Sequence, residues 1–277
     1  MIHNTFQLES PRGGIINGDV RMREGPPPRT AIVVVHGFKG FKDWGFFPHL
    51  CTRLAVEGHA VISFNFSHNG IGPDPELFSD LEGFSRNTIS REVDESNHVL
   101  KSVAAGELTS RPPGRIGLLG HSRGGAVAIL SAVETPEVDV LATWGAVDHL
   151  DRWTETTIRE WRETGVMYVL NQRTGQHLPL SIDLLEDYEA NRERLDLHSA
   201  AASVAAPWLI VHGKEDLTVP VQEGERLANR SGTARLHLIE EAGHTFEATH
   251  PFTGAPQALE EALAASIQHF SSYLGEG

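Results

Sequence analysis

The chain has 277 residues, of which 40% are hydrophobic and 22% charged, enough apolar side chain to bury one large core in a single α/β domain. Its formal net charge of −14, with no basic run, argues against a surface for nucleic acid or anionic membrane, and no apolar run is long enough to span a bilayer. The single cysteine, Cys51, excludes an internal disulfide and a thiolate zinc site.

The opening residues Met1-Ile2-His3-Asn4 lack the charged and apolar regions of a signal peptide, so a cytoplasmic location is expected. Thr5 to Leu8 and Ile15 to Met22 predict an antiparallel start. After Pro26-Pro27-Pro28, the β-branched run Ala31-Ile32-Val33-Val34-Val35 predicts a buried strand leading into His36-Gly37-Phe38-Lys39-Gly40. Cys51 falls in a predicted helix from Phe46 to Ala55, where it reads as a small buried hydrophobe. Further strands are expected near 60–66, 115–119, 138–146, 207–212 and 235–240. Between them, a helix after Asn87 keeps Ile89, Val93, Leu100 and Val103 on one side. The last helix carries Leu259, Leu263, Ile267, Phe270 and Leu274 at steps of three or four. Alternating strands and helices predict a mainly parallel sheet of about eight strands, covered on both faces.

The strand at 115–119 runs directly into Gly120-His121-Ser122-Arg123-Gly124, which has the Gly-x-Ser-x-Gly form of a nucleophile elbow. Serine sits at a strained strand-to-helix corner, and side chains two positions to either side would collide with neighbouring backbone, so both positions take glycine. Small residues after it, Gly125, Ala126 and Ala128, let a helix lie close to the sheet. Ser122 is therefore the candidate nucleophile.

A nucleophilic serine needs a base, and the base an orienting acid; after such an elbow the chain order is Ser, then acid, then His. Asp216 follows the strand-like run Pro207 to His212, and His244 follows the strand near 235–240 in a glycine-preceded loop. Both positions lie where α/β sheets gather their chemistry. Glu215, from the same turn as Asp216, reads as a solvated charge. Asp148, which also follows a strand, is the alternative acid, and His250 the rival base. His36, His121 and His212 flank glycines and read as partners of local backbone, and His237 as structural. Two backbone N–H groups would hold the developing oxyanion, that of Arg123 and, from the loop after the first buried strand, that of Phe38.

These four stretches, His36-Gly37-Phe38, Gly120-His121-Ser122-Arg123-Gly124-Gly125, His212-Gly213-Lys214-Glu215-Asp216 with Val219-Pro220, and Gly243-His244, make the chain resemble an α/β-hydrolase. It is similar in particular to cinnamoyl- or feruloyl-esterase-like, dienelactone-hydrolase-like and acylaminoacyl-peptidase-like enzymes. One stretch departs from those relatives. Where many place an acidic residue and a Gly-His-Gly turn after the fourth strand, this chain reads Phe64-Asn65-Phe66-Ser67-His68-Asn69-Gly70-Ile71-Gly72, in a loop that the resemblance places beside the site.

Residues 148–206 interrupt the strand–helix rhythm. They combine helix-like charge patterns (Arg159, Glu160, Arg162, Glu163) with Trp153, Trp161, Met167, Tyr168 and Tyr188. The resemblance makes this interval a lid inserted into a core of 1–147 and 207–277, with aromatic and aliphatic side chains suited to an acyl or aryl group; the bland alternative is a surface subdomain. The expected reaction is two-step acyl transfer from a small-molecule carboxylic ester by Ser122, His244 and Asp216. Aminopeptidase or thioesterase activity, and a ligand-binding receptor with little turnover, stay open beside it. Nothing in the sequence calls for a metal or an organic cofactor, and the oligomeric state is left open between monomer and homodimer.

Overall fold

A computed structural model describes residues 1–72, 74 and 76–275. The chain opens with a hairpin in which β1 (Ile2–Glu9), longer at both ends than the sequence pattern indicates, pairs antiparallel with β2 (Ile15–Met22). Then come β3 (Thr30–Val35), α1 (Phe47–Val56) and β4 (Ala60–Asn65). α1 carries Pro48 in its first turn, where a missing N–H costs nothing. After the short α2 (Leu81–Ser85), α3 (Ile89–Ala104) begins at Thr88, whose side chain accepts the Arg91 N–H. β5 (Arg115–His121), α4 (Arg123–Glu134) and β6 (Val138–Trp144) form the centre of the chain.

The 148–206 interval holds α5 (Glu155–Thr164), a hairpin of β7 (Val166–Leu170) and β8 (His177–Ser181), α6 (Asp183–Ala190) and α7 (Leu197–Ser203). The chain then returns through β9 (Trp208–Gly213), α8 (Val221–Arg230), β10 (Ala234–Ile239) and α9 (Gln257–Leu274). Eight strands form one sheet in the order β1-β2-β4-β3-β5-β6-β9-β10; β1 and β2 are antiparallel to their neighbours and the rest are parallel.

Alternation along β3 explains how both faces are filled. Ile32 and Val34 pack with Leu50 and Leu54 of α1 and Leu263 and Phe270 of α9. Ala31, Val33 and Val35 point the other way, onto Val93 and Leu100 of α3 and Ala126 of α4. Full burial of each large apolar side chain stabilises the fold by about 2 kcal/mol relative to exposure. Cys51 is buried in α1, and burial pushes its thiol up to about 11. Among the described residues, no helix is long and apolar enough to cross a membrane.

Two details differ from the sequence pattern. β6 stops at Trp144, because Gly145 (φ +50°) turns the chain away from the strand path. The helix-like charges at 159–163 do lie in α5, but Val166–Leu170 and His177–Ser181 pair as strands, with period-two alternation. Met167 and Val169 face inward while Tyr168 is 61% exposed.

Candidate active site

β5 delivers Ser122 at its carboxyl end, and α4 begins at the next residue. Ser122 has φ 58° and ψ −125°, a conformation costly for any residue with a side chain. The surroundings hold it there: its N–H donates to the Trp144 carbonyl at 2.8 Å. A Cβ on Gly120 would lie 2.2 Å from the Gly124 carbonyl oxygen, and one on Gly124 would lie 2.3 Å from the His36 carbonyl oxygen. The glycines are thus required by close backbone approach.

Asp216 leaves the turn after β9 with its carboxylate fully engaged. One oxygen accepts the N–H groups of Thr218 and Val219, each at 2.8 Å, and the other lies 2.7 Å from His244 Nδ1. His244 Nε2 in turn lies 2.9 Å from Ser122 Oγ. With the Nδ1 proton directed at Asp216, Nε2 is left to accept the serine hydroxyl proton. Burial pushes the Asp216 carboxyl up, but the hydrogen bond and charge of His244 and the two backbone donors outweigh it and hold the carboxyl below the usual range. Gly145 covers this contact: a Cβ there would stand 3.3 Å from both Asp216 Oδ2 and His244 Nδ1. His121 Nε2 donates to the His244 carbonyl at 3.0 Å, with the two rings 4.7 Å apart. Burial first, then the neighbouring His244, push His121 down to about 3, which keeps it a neutral donor.

The rival groups lie elsewhere. Glu215 is exposed. Asp148 is buried in an ion network with Arg226, His149 and His198. Asp148, His149 and Glu223 come close enough together to share a cation, but Arg226 and Arg152 already occupy the two carboxylates. His250 accepts the Gly45 N–H at 2.8 Å and packs between Phe41 and Trp44. His212 donates to the Val219 carbonyl at 2.8 Å, and His237 pairs with Glu261 at 3.0 Å.

The loop after β3 runs against the elbow, with Gly37 so close that a Cβ would lie 2.9 Å from that of Ser122. Among the described residues the backbone N–H groups of Phe38 and Arg123 have no acceptor. Their side chains are locked together. The Arg123 guanidinium lies 4.2 Å above the Phe38 ring centroid and is held at 2.5 Å by Glu92, which also accepts Asn87 at 2.7 Å. Phe84 stacks on Phe38 at 5.8 Å. Sequence reasoning missed Glu92: a glutamate beside the core position Val93 carries no pattern of its own.

Ser122, Phe38 and Thr218 stand between two cavities, of about 350 and 380 Å³. The first is apolar, with Trp153, Met167, Val169 and Leu184 of the 148–206 interval facing Ile89 and Val219. The second adds polar groups, Lys39, Asn171, Arg173 and Thr245, to a wall that includes Phe38, Trp44 and Phe47. Neither is lined by an Asp or Glu among the described residues. The hairpin of β7 and β8 is tied across them: the Gln176 amide pairs both ways with the Phe78 backbone at 2.9 and 3.1 Å, and Lys39 donates to the Leu170 carbonyl at 3.2 Å. Residues 64–72 line neither cavity, contrary to the expectation that they border the site. Phe84 intervenes: it stacks on Phe38, and Gly70 packs beneath it, where a Cβ would lie 2.8 Å from that of Phe84.

Residues 32–262 match the model of the alpha/beta hydrolase family, and the chain belongs to that family. It is 24% identical over 226 residues to 2,6-dihydropseudooxynicotine hydrolase of Paenarthrobacter nicotinovorans, a match covering 80% of this chain and 53% of that protein. The chain thus spans about half the length of this curated relative. Among solved structures it is similar to Est1E from Butyrivibrio proteoclasticus with ferulic acid bound (18% identity, 98% and 100% of the two chains, TM-score 0.73). It is also similar to dienelactone hydrolase from Anabaena variabilis (17% identity, 98% of each chain, TM-score 0.65). At these identities the likeness is one of fold, and the fold is that of an α/β-hydrolase.

Proposed function

We propose that the chain is a serine hydrolase of carboxylic esters acting through an acyl-enzyme. The observation that carries this reading is the unbroken line from Asp216 through His244 to Ser122, at 2.7 and 2.9 Å. His244 takes the Ser122 proton as Oγ attacks the ester carbonyl, and Asp216 fixes the imidazole tautomer and stabilises the imidazolium. The backbone N–H groups of Phe38 and Arg123 receive the oxyanion, and their lack of an internal acceptor supports that role. His244 then protonates the departing alcohol, and water repeats the sequence to release the acid. The 148–206 interval acts as the lid, supplying apolar walls for an acyl or aryl group.

An ester is favoured over an aminoacyl amide because neither cavity offers a carboxylate to hold a substrate ammonium. Purified protein is to be tested on short esters, aryl esters, aminoacyl amides and acyl thioesters, beside the Ser122→Ala variant. The expected result is multiple turnovers on esters, with a loss of about a millionfold in the variant. Undiminished ester hydrolysis by Ser122→Ala overturns the assignment. Labelling of Ser122 by a fluorophosphonate without turnover on any substrate favours a receptor.

A further inference from the structure

Four cationic side chains line the two cavities that meet at Ser122, and three of them are matched from behind. Arg123 is held by Glu92 at 2.5 Å, Arg152 by Glu223 at 2.8 Å and Arg173 by Glu76 at 3.1 Å. Lys39 differs. Among the described residues it has no carboxylate partner: its ammonium donates to the Leu170 carbonyl at 3.2 Å and lies 5.8 Å from the Phe38 ring centroid. Half-burial without a counter-charge lowers its pKa. Across the same cavity the Nη2 of Arg173 is buried with no hydrogen-bond acceptor. In a chain with a net charge of −14, a cavity lined by no acid, whose Lys39 has no counter-charge, is an unbalanced site beside Ser122.

We propose that this second cavity is a subsite for a carboxylate on the substrate, held by the Lys39 ammonium with the Arg173 guanidinium nearby in the same wall, so that the preferred esters are amphiphilic. Their apolar arm lies against Trp153, Met167 and Val169, and their anionic arm lies beside Thr245 and Asn171. The proposal rests on the ester-hydrolase reading and names its substrate class. An oxygen placed at Lys39 adds a charge-assisted hydrogen bond in a partly desolvated site, which corresponds to about a ten- to hundredfold preference in kcat/KM.

Two matched pairs of esters test it. The hexanoyl ester of 4-hydroxybenzoate against that of methyl 4-hydroxybenzoate places the charge on the alcohol side. Monohexyl glutarate against hexyl methyl glutarate places it on the acyl side. We expect the anionic member of one pair to be preferred at least tenfold, and the preference to shrink in 0.5 M salt, about where screening reaches a few ångströms. The Lys39→Gln variant should bring that ratio to near one, and Lys39→Glu should invert it. Equal rates within both pairs, or a preference that survives Lys39→Glu, overturns the proposal. A separate readout serves if no ester, neutral or charged, is hydrolysed. Hexanoate should slow fluorophosphonate labelling of Ser122 in the native protein and not in Lys39→Glu. Protection of that kind leaves the subsite standing while the ester reading falls, and its absence removes both.

Discussion

The guanidinium of Arg123 rests 4.2 Å above the ring centroid of Phe38, so the two residues proposed to supply the oxyanion donors are joined through their side chains. A stacked contact of this kind is worth about 1–2 kcal/mol, the buried Glu92 holds Arg123 in it, and on the proposed reading it steadies the two oxyanion donors. Glu92→Gln weakens the hold without removing volume. We expect about a tenfold lower kcat with KM within twofold, and an equal loss of affinity for an alkylboronic acid that mimics the tetrahedral intermediate. Steady-state kinetics and inhibition constants measured together check it. A change in KM alone would contradict the assigned role.

Asp216 and Asp148 both follow strands of the parallel sheet, and only Asp216 touches His244. Asp216→Asn should lower kcat about ten-thousandfold, because the amide favours the wrong imidazole tautomer. Asp148→Asn should keep turnover but lower Tm by about 5 °C, since it strips a counter-charge from Arg226 in a buried network. Paired kinetic and calorimetric measurements on the two variants separate chemistry from scaffold.

Gly124 and Gly232 give a steric contrast. A Cβ on Gly124 would sit 2.3 Å from one carbonyl oxygen and 2.6 Å from another, whereas a Cβ on Gly232 meets nothing within 4 Å. Gly124→Ala should cost about 3 kcal/mol or more, and Gly232→Ala should stay within about 0.5 kcal/mol of the native protein. Urea unfolding of both variants provides the check.

Stability should fall on mild acidification. Burial pushes His121 down to about 3 and His36 down to about 4, and it also lowers His59, His68 and His269. The unfolded chain binds protons at His121 and His36 below about pH 6.5, while the folded chain resists binding them until about pH 4, so the unfolded state gains as the pH drops; the other three act in the same sense. His121 and His36 each contribute up to about 1.4 kcal/mol per pH unit in that window. The lowered Asp216 and Asp148 act only below about pH 4, and the raised Glu92 acts in the opposite sense. Urea unfolding at pH 7.5, 6.5 and 5.5 should show the decline, and His121→Gln should make it shallower.

Ser122, Asp216 and His244 were legible in the sequence because each stands just beyond a strand, where a turn rich in glycine or acid interrupts an apolar run. Strand periodicity likewise exposed the sheet, since the alternation along β3 is fixed by which face each side chain fills. Glu92 and Lys39 were not legible. Their significance lies in what they touch, and those contacts span 31 positions to Arg123 and 131 to Leu170. The β7–β8 hairpin escaped because five-residue strands flanked by charged helices give too short a window for period two to stand out. The 64–72 stretch was misplaced because Phe84, which screens it from the cavities, arrives from a separate turn of chain.

Gly145 closes over the Asp216–His244 contact with bare main chain, at a positive φ that side chains avoid. Any larger residue at the tip of β6 would press into that contact, so the sixth strand has no room to donate an acid of its own. The carboxylate that meets His244 is therefore anchored beyond β9, and an acid supplied from the tip of β6 would first require this corner to be remodelled.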